Sequence, residues 1–218
     1  MTREPLPKSR IVVALILLCL PLLMLGALGA WSIAPYPGSP VAKVRAAAHI
    51  AKAPFAERIV IGDSRIEYAE PTDAALWVGY GGATLRHLER LTGSICRVSD
   101  APVVIALGVN DAKGGFVDVD ASLAAALRMA ESCGPERIAF AGVWPPEVTR
   151  EPFGRYFDKD IIAVLDAGLA DIAANKGAGY LPVPDGLSRH TADGVHLKPE
   201  VSARYLAYLA GDPELAAR

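Results

Sequence analysis

Residues 58–66 have the sequence RIVIGDSRI. Three consecutive β-branched apolar residues followed at once by a glycine predict a buried strand that ends in a sharp turn. Ser64 then precedes a short helical stretch that starts at Arg65. A serine at such a strand-to-helix turn projects its hydroxyl from the sheet edge, where backbone N–H groups face the same space. Alone, the tripeptide GDS is a weak signal, because Asp63 or Ser64 would serve equally well as a helix N-cap.

Similar apolar runs recur along the chain and alternate with longer helical patterns. The predicted strands are 58–62, 75–78, 102–107, 137–143 and 179–183, and the predicted helices are 41–51, 83–91, 120–132, 156–175 and 199–210. Strands that are apolar throughout are typical of a parallel sheet covered on both faces. The alternation therefore predicts a three-layer α/β domain with about five parallel strands. Ligand sites in such folds lie beyond the carboxyl ends of the strands.

Two further motifs follow predicted strands. Gly81 and Gly82, in the sequence YGGAT, come after the second strand, and glycine lets a loop backbone approach a ligand closely. Asn110, in the sequence GVND, comes after the third strand and offers a neutral amide donor to a developing oxyanion. Taken by itself, each motif is better explained as an ordinary turn.

Asp193 and His196, in the sequence DGVHL, precede the last predicted helix. An aspartate three residues before a histidine in a turn can accept the imidazole Nδ1–H, which leaves Nε2 free to take a proton from a serine. A metal or N-cap role is the alternative, but no other histidine or carboxylate cluster offers the remaining ligands. We therefore expect no metal and no other cofactor. His49, His87 and His190 lack a carboxylate partner in a motif and are expected at the surface.

The four motifs together, in this order and at these strand ends, resemble those of the SGNH hydrolases, the GDSL-like lipases and esterases. The resemblance covers approximately residues 57–209 and implies a flavodoxin-like αβα fold. It also implies a catalytic triad and an oxyanion hole. The triad would consist of Ser64 as nucleophile, His196 and Asp193. The oxyanion hole would consist of the N–H groups of Ser64 and Gly82 and the side-chain amide of Asn110.

Two weaker candidates lie beside these motifs. Arg65 follows the serine and would bind an anionic group of the substrate, with a solvated or salt-bridged arginine as the simpler interpretation. Trp144 follows the fourth predicted strand and would form the wall of an acyl or glycan pocket, with core packing as the alternative. Only 18 residues separate Ser64 from Gly82 (82 − 64 = 18), so we expect the first crossover helix to be small.

The N-terminal region predicts a membrane segment. Residues 11–31 contain no charged side chain and are numerous enough to cross the hydrocarbon core of a bilayer as a helix. Basic residues outnumber acidic ones before this run, so the positive-inside rule keeps the N-terminus in the cytoplasm and places the rest outside, in the periplasm of a bacterium. The predicted organisation is a cytoplasmic segment (1–10), a transmembrane anchor of the inner membrane (11–31), a proline-rich linker (32–40) and a hydrolase domain (41–218). The alternative is a cleaved signal peptide and a secreted domain.

Composition limits the partners. The chain has 218 residues, enough for one well-cored domain with an appendage, and a formal net charge of −2. No basic cluster occurs outside the N-terminus, which argues against nucleic-acid binding. An ester-bearing small molecule or a cell-envelope glycan is the expected substrate.

Cys96 and Cys133 can pair in an oxidising compartment or remain two separate buried thiols.

The expected activity is that of a serine esterase that acts through an acyl-enzyme on a small or glycan-borne ester at the cell envelope. The same acyl-enzyme would also serve an O-acyltransferase that modifies an envelope polysaccharide. A non-catalytic anchored scaffold is a third hypothesis. The presence of all five expected site residues counts against it.

Overall fold

A computed structural model of the chain describes residues 17, 19, 39–115, 117–185 and 187–211. The predicted transmembrane segment, residues 11–31, and the linker, residues 32–40, lie outside the described residues except at 17, 19, 39 and 40. Within the described part of the chain, no helix has both the length and the apolar character needed to cross a membrane.

Five strands form one parallel sheet, as the apolar runs predict. They are β1 (Ile59–Gly62), β2 (Leu76–Gly79), β3 (Val103–Ala106), β4 (Ile138–Ala141) and β5 (Gly179–Leu181), in the order β2-β1-β3-β4-β5. Every neighbouring pair is parallel. This order is that of flavodoxin-like folds. β1 and β3 lie on either side of the point where the strand order reverses.

Six α-helices cover the described sheet. They are α1 (Pro40–Lys52), α2 (Ser64–Glu67), α3 (Leu85–Val98), α4 (Val119–Cys133), α5 (Lys159–Lys176) and α6 (Pro199–Ala210). Alternate residues of each strand face opposite sides, so β1 contributes Ile59 and Ile61 to one core and Val60 to the other. The first core contains α1, α3, α4 and α5, whereas the second contains α2 and α6. The predicted three-layer architecture is confirmed, with unequal outer layers.

The first crossover is short because two glycines let α2 pack directly against the ends of two strands. A Cβ atom on Gly79 would lie 2.4 Å from the backbone nitrogen of Glu67. A Cβ atom on Gly62 would lie 2.3 Å from the Ile66 Cγ1 atom. The resulting helix has only four residues, which agrees with the small crossover expected from the spacing of Ser64 and Gly82.

Side-chain caps set where the longer helices begin. The Thr84 side chain caps α3 by accepting the His87 N–H, and His87 Nδ1 accepts the Thr84 N–H, which completes a capping box. Asp158 accepts hydrogen bonds from the N–H groups of Asp160 and Ile161, so α5 starts at Lys159 rather than at the predicted residue 156. Gly177, with φ of 75°, ends the same helix in the left-handed conformation.

A disulfide joins Cys96, in the last turn of α3, to Cys133, the last residue of α4. The Cα atoms of the two residues are 4.9 Å apart, and the bond closes a separation of 37 residues. This pairing decides between the two alternatives that the sequence left open. It links the C-terminal ends of α3 and α4. The loops at the carboxyl edge of the sheet precede the N-terminal ends of these two helices.

Replacing both cysteines, in Cys96→Ala/Cys133→Ala, should lower the free energy of unfolding by about 3–4 kcal/mol, because the unfolded chain regains the freedom of the closed loop. Urea unfolding of the two proteins measures the difference. Unreduced, denatured wild type should expose one reactive thiol, that of Cys19. Three reactive thiols would show that the bond does not form.

Candidate active site

The serine predicted as nucleophile lies where β1 meets α2. Ser64 is the first residue of α2, directly beyond the carboxyl end of β1, and is 6% exposed. Asp63 caps the helix by accepting the N–H of Arg65 at 2.9 Å. Burial raises the pKa of the Asp63 carboxyl, and the nearby Arg65 charge opposes that effect. The turn is therefore held by a buried carboxylate beside a buried guanidinium.

Asp193 and His196 form the contact that the sequence predicts. The Nδ1 atom of His196 lies 2.7 Å from Asp193 Oδ2, and the second oxygen accepts the N–H groups of His196 and Val195. Burial raises the pKa of Asp193, but these hydrogen bonds from His196 and Val195 outweigh it and hold the pKa below its ordinary value. An ionised Asp193 fixes the tautomer with Nδ1–H, which leaves Nε2 as the acceptor.

The turn that contains this pair is supported by the segment 147–154. Phe153 N–H donates to the carbonyl of Asp193 at 3.0 Å, and Glu147 N–H donates to the carbonyl of Gly194 at 2.9 Å. A Cβ atom on Gly194 would lie 2.3 Å from the backbone nitrogen of Gly154, so only glycine permits this contact. The position of His196 thus depends on a backbone-to-backbone contact with a distant loop.

Arg65, which the sequence suggests as a residue that binds a substrate anion, is buried, bonds to two backbone carbonyls and also lines the cavity that contains Ser64. Its side chain is 4% exposed. Nε donates to the carbonyl of Val195 at 2.9 Å, and Nη1 donates to the carbonyl of Trp144 at 2.6 Å. Arg65 therefore connects the serine turn, the loop after β4 and the turn that contains His196.

Two of the three predicted oxyanion donors, Gly82 and Asn110, lie on neighbouring loops. Gly82 occupies the third position of a turn closed by Ala83 N–H to the carbonyl of Tyr80, with φ of 72° that favours glycine. Asn110 Nδ2 donates to the carbonyl of Ala83 at 3.1 Å, which ties the two loops together. Nothing lies within 4 Å of a Cβ atom placed on Gly82, so the space over this residue is open.

Ser64 and His196 both line a cavity of about 720 Å³. No hydrogen bond joins these two side chains among the described residues. Such bonds are often long in structures without substrate and shorten in the complex. The wall of the cavity is formed by α6 and the segment between α2 and β2, and most of it is apolar: Ala69, Pro71, Ala74, Leu197, Pro199, Ala203, Leu206, Ala207 and Ala210.

Trp144 packs in the core, as its alternative interpretation predicts, whereas His190 lies in a place that the sequence did not predict. The Trp144 ring is 4% exposed and packs 4.6 Å from the Tyr205 ring in the second core, so it does not line the cavity beside Ser64. His190 is buried rather than at the surface, with Nε2 2.8 Å from the carbonyl of Pro145. Packing against Tyr205 of α6 explains the position of Trp144.

Two aromatic residues beside the histidine were missed by sequence reasoning. The Tyr68 ring centroid lies 5.3 Å from that of His196, and the Phe153 centroid lies 6.0 Å from it. Both aromatic side chains are substantially exposed. Neither belongs to a motif, and Phe153 approaches His196 from a segment 43 residues earlier in the chain (196 − 153 = 43). They give the imidazole an apolar surround.

Asp111 connects the loop after β3 to two helices. Its carboxylate accepts the N–H of Leu85 at the start of α3 and the hydroxyl of Ser122 in α4 at 2.6 Å. Burial raises the pKa of Asp111 to about 6, although the bonds from Ser122 and Leu85 act in the opposite direction. A buried carboxylate therefore sits next in sequence to Asn110.

Comparison with known structures identifies the fold. A GDSL-like lipase from Bacteroides thetaiotaomicron matches with a TM-score of 0.61 and 20% identity over 80% of this chain and 98% of that one. A lipase/acylhydrolase from Enterococcus faecalis gives 0.59 and 20% over 74% and 95%. A carbohydrate acetylesterase from Sinorhizobium meliloti gives 0.57 and 15% over 73% and 96%. No protein-family model and no curated protein matches the chain. The chain thus has the SGNH-hydrolase fold.

Asp111 should make the stability depend on pH in a direction opposite to that of a salt-bridged aspartate. Because its folded-state pKa of about 6 exceeds the ordinary 3.8, its contribution to stability is fully present below pH 4 and is lost as the pH rises towards 6. Relative to Asp111→Asn, the wild type should lose up to about 3 kcal/mol between pH 4 and pH 7. Urea unfolding across this range measures it, with the exposed Asp120→Asn as control. Parallel curves for wild type and Asp111→Asn would contradict the prediction.

Proposed function

We propose that this chain, which has the SGNH-hydrolase fold, is a serine esterase with Ser64 as nucleophile, His196 as general base and acid, and Asp193 as the residue that orients His196. The observation that supports it most is the Asp193–His196 hydrogen bond at the border of the cavity that Ser64 also lines. Structural similarity to lipases, acylhydrolases and an acetylesterase supports ester hydrolysis in general.

Acyl transfer would proceed in two steps. His196 Nε2 takes the Ser64 proton as Oγ attacks the ester carbonyl, and Asp193 stabilises the imidazolium that forms. The N–H groups of Ser64 and Gly82 and the Asn110 amide donate to the developing oxyanion. His196 then returns its proton to the leaving alcohol. Water, activated by the same imidazole, attacks the acyl-enzyme and releases the acid.

We place the domain outside the cytoplasm, attached to the inner membrane through residues 11–31. The basic N-terminus before the apolar run supports this orientation. The bond between Cys96 and Cys133 also supports it, because disulfides persist in oxidising compartments. The substrate is then a small or glycan-borne ester at the cell envelope.

The cavity suggests which arm of the ester is apolar. Gly82 and Asn110 are not among its lining residues, whereas His196 and the following Leu197 and Pro199 are. Because His196 must protonate the leaving oxygen, the alcohol arm lies on its side of the serine. An apolar alcohol arm would therefore occupy the cavity, whose volume is in the usual range of ligand pockets.

Covalent labelling tests the nucleophile. A fluorophosphonate should label the full-length chain, and Ser64→Ala should abolish labelling and lower kcat for p-nitrophenyl acetate by roughly 10⁶-fold, because the covalent route is lost. Ser202→Ala, which also borders the cavity, is the matched control and should remain labelled. Unchanged labelling of Ser64→Ala would exclude Ser64. Product transfer to an added glycan instead of water would identify an acyltransferase.

The length of the alcohol in an ester series tests whether the cavity binds the alcohol arm. Across acetates of increasingly long alcohols, kcat/KM should rise about fourfold per methylene, because burying one CH₂ contributes about 0.8 kcal/mol. Ala203→Trp, which fills the cavity from α6, should flatten the rise, whereas Ala174→Trp on the exposed side of α5 should not. A rise confined to the acid-chain series would place the acyl arm in the cavity instead.

A further inference from the structure

The turn that presents the Gly82 N–H is held from outside by a carboxylate. The adjacent Gly81 N–H donates to Glu67 Oε2 at 2.6 Å, a short charge-assisted bond. Glu67 is the last residue of α2, the helix that begins with Ser64. One side chain therefore connects the helix of the nucleophile to the loop of an oxyanion donor.

Arg45 of α1 holds the same segment at a second point. Its Nη1 forms an ion pair with Glu67 Oε1, and its Nη2 donates to the carbonyl of Gly79 at 2.8 Å. The guanidinium carbon also lies 5.0 Å from the centroid of the Tyr80 ring. Residues 79–81 are thus bound on both sides by one ion pair, which we call the Arg45–Glu67 pair.

The charge of this pair matters as much as its geometry. An isolated Glu67 carboxylate, bonded to the residue that precedes the Gly82 donor, would oppose the negative charge that develops on the substrate oxygen. Arg45 neutralises that carboxylate. The Glu67 side chain is 21% exposed, so water screens its charge only partly.

We propose that Glu67 and Arg45 are positioning residues of the oxyanion hole, with Glu67 fixing the turn that presents the Gly82 N–H and Arg45 neutralising Glu67. The proposal rests on the esterase function above. Neither residue is expected to touch substrate, and both act through the backbone of residues 79–82. Their loss should therefore lower kcat with little change in KM, because an oxyanion donor acts mainly in the transition state.

Four variants of the full chain test the proposal. Glu67→Ala should lower kcat for p-nitrophenyl acetate about 10–100-fold, less than the 10²–10³ expected for the direct donor variant Asn110→Ala. Glu67→Gln keeps an oxygen for the Gly81 N–H and should stay within about threefold of wild type. Arg45→Met should lower kcat about tenfold. In the Glu67→Gln background Arg45→Met should cost clearly less, because no carboxylate remains to be neutralised and only the bond to the Gly79 carbonyl is lost.

Active-site titration with a fluorophosphonate counts competent molecules in each preparation, so kcat refers to folded enzyme. Arg128→Met removes the exposed Arg128–Glu89 pair, at 2.8 Å, and is the matched control with unchanged kcat. Wild-type kcat in Glu67→Ala, or an equal cost of Arg45→Met in both backgrounds, would overturn the positioning role alone. A wild type that is neither labelled nor active would overturn the esterase function and this role together.

Discussion

The site depends on the pairing of β1 with a parallel strand on each side. Gly62, the last residue of β1, is in register with Gly79 of β2 and Ala106 of β3. The three loops that follow therefore start at the same level of the sheet edge. A change of one residue in either register would move a loop along the strand direction and separate the serine from an oxyanion donor.

Buried charged groups then fix the loops that the sheet brings together. Asp63, Arg65 and Asp111 are each less than 5% exposed. Asp63 bonds to the backbone of its own turn, whereas Arg65 and Asp111 bond to backbone groups of other loops or helices. Burying such groups disfavours folding unless hydrogen bonds compensate. Their directional bonds specify one arrangement of loops, whereas apolar packing would tolerate several. Precision at the catalytic edge is thus obtained with groups that contribute little to net stability.

The parts predictable from sequence are those encoded locally. Apolar runs located all five strands, and the spacing from Asp193 to His196 predicted a contact made within one turn. The role of Arg65 was not predictable, because its partners, Val195 and Trp144, lie 130 and 79 residues away. Glu67 likewise contacts Gly81 only after the chain has passed through β2. Such contacts exist only in the assembled fold, so no short motif encodes them.

Close backbone contacts at the site affect how mutational scans of this chain are interpreted. Gly79 and Gly194 leave no room for a methyl group, since a Cβ atom would lie 2.4 Å and 2.3 Å from backbone atoms of neighbouring segments. Substitution at either position would inactivate the protein by displacing Glu67 or Gly154. A scan that records activity alone would therefore assign catalytic importance to residues that do no chemistry. Only a parallel record of protein abundance would separate these glycines from the reacting groups.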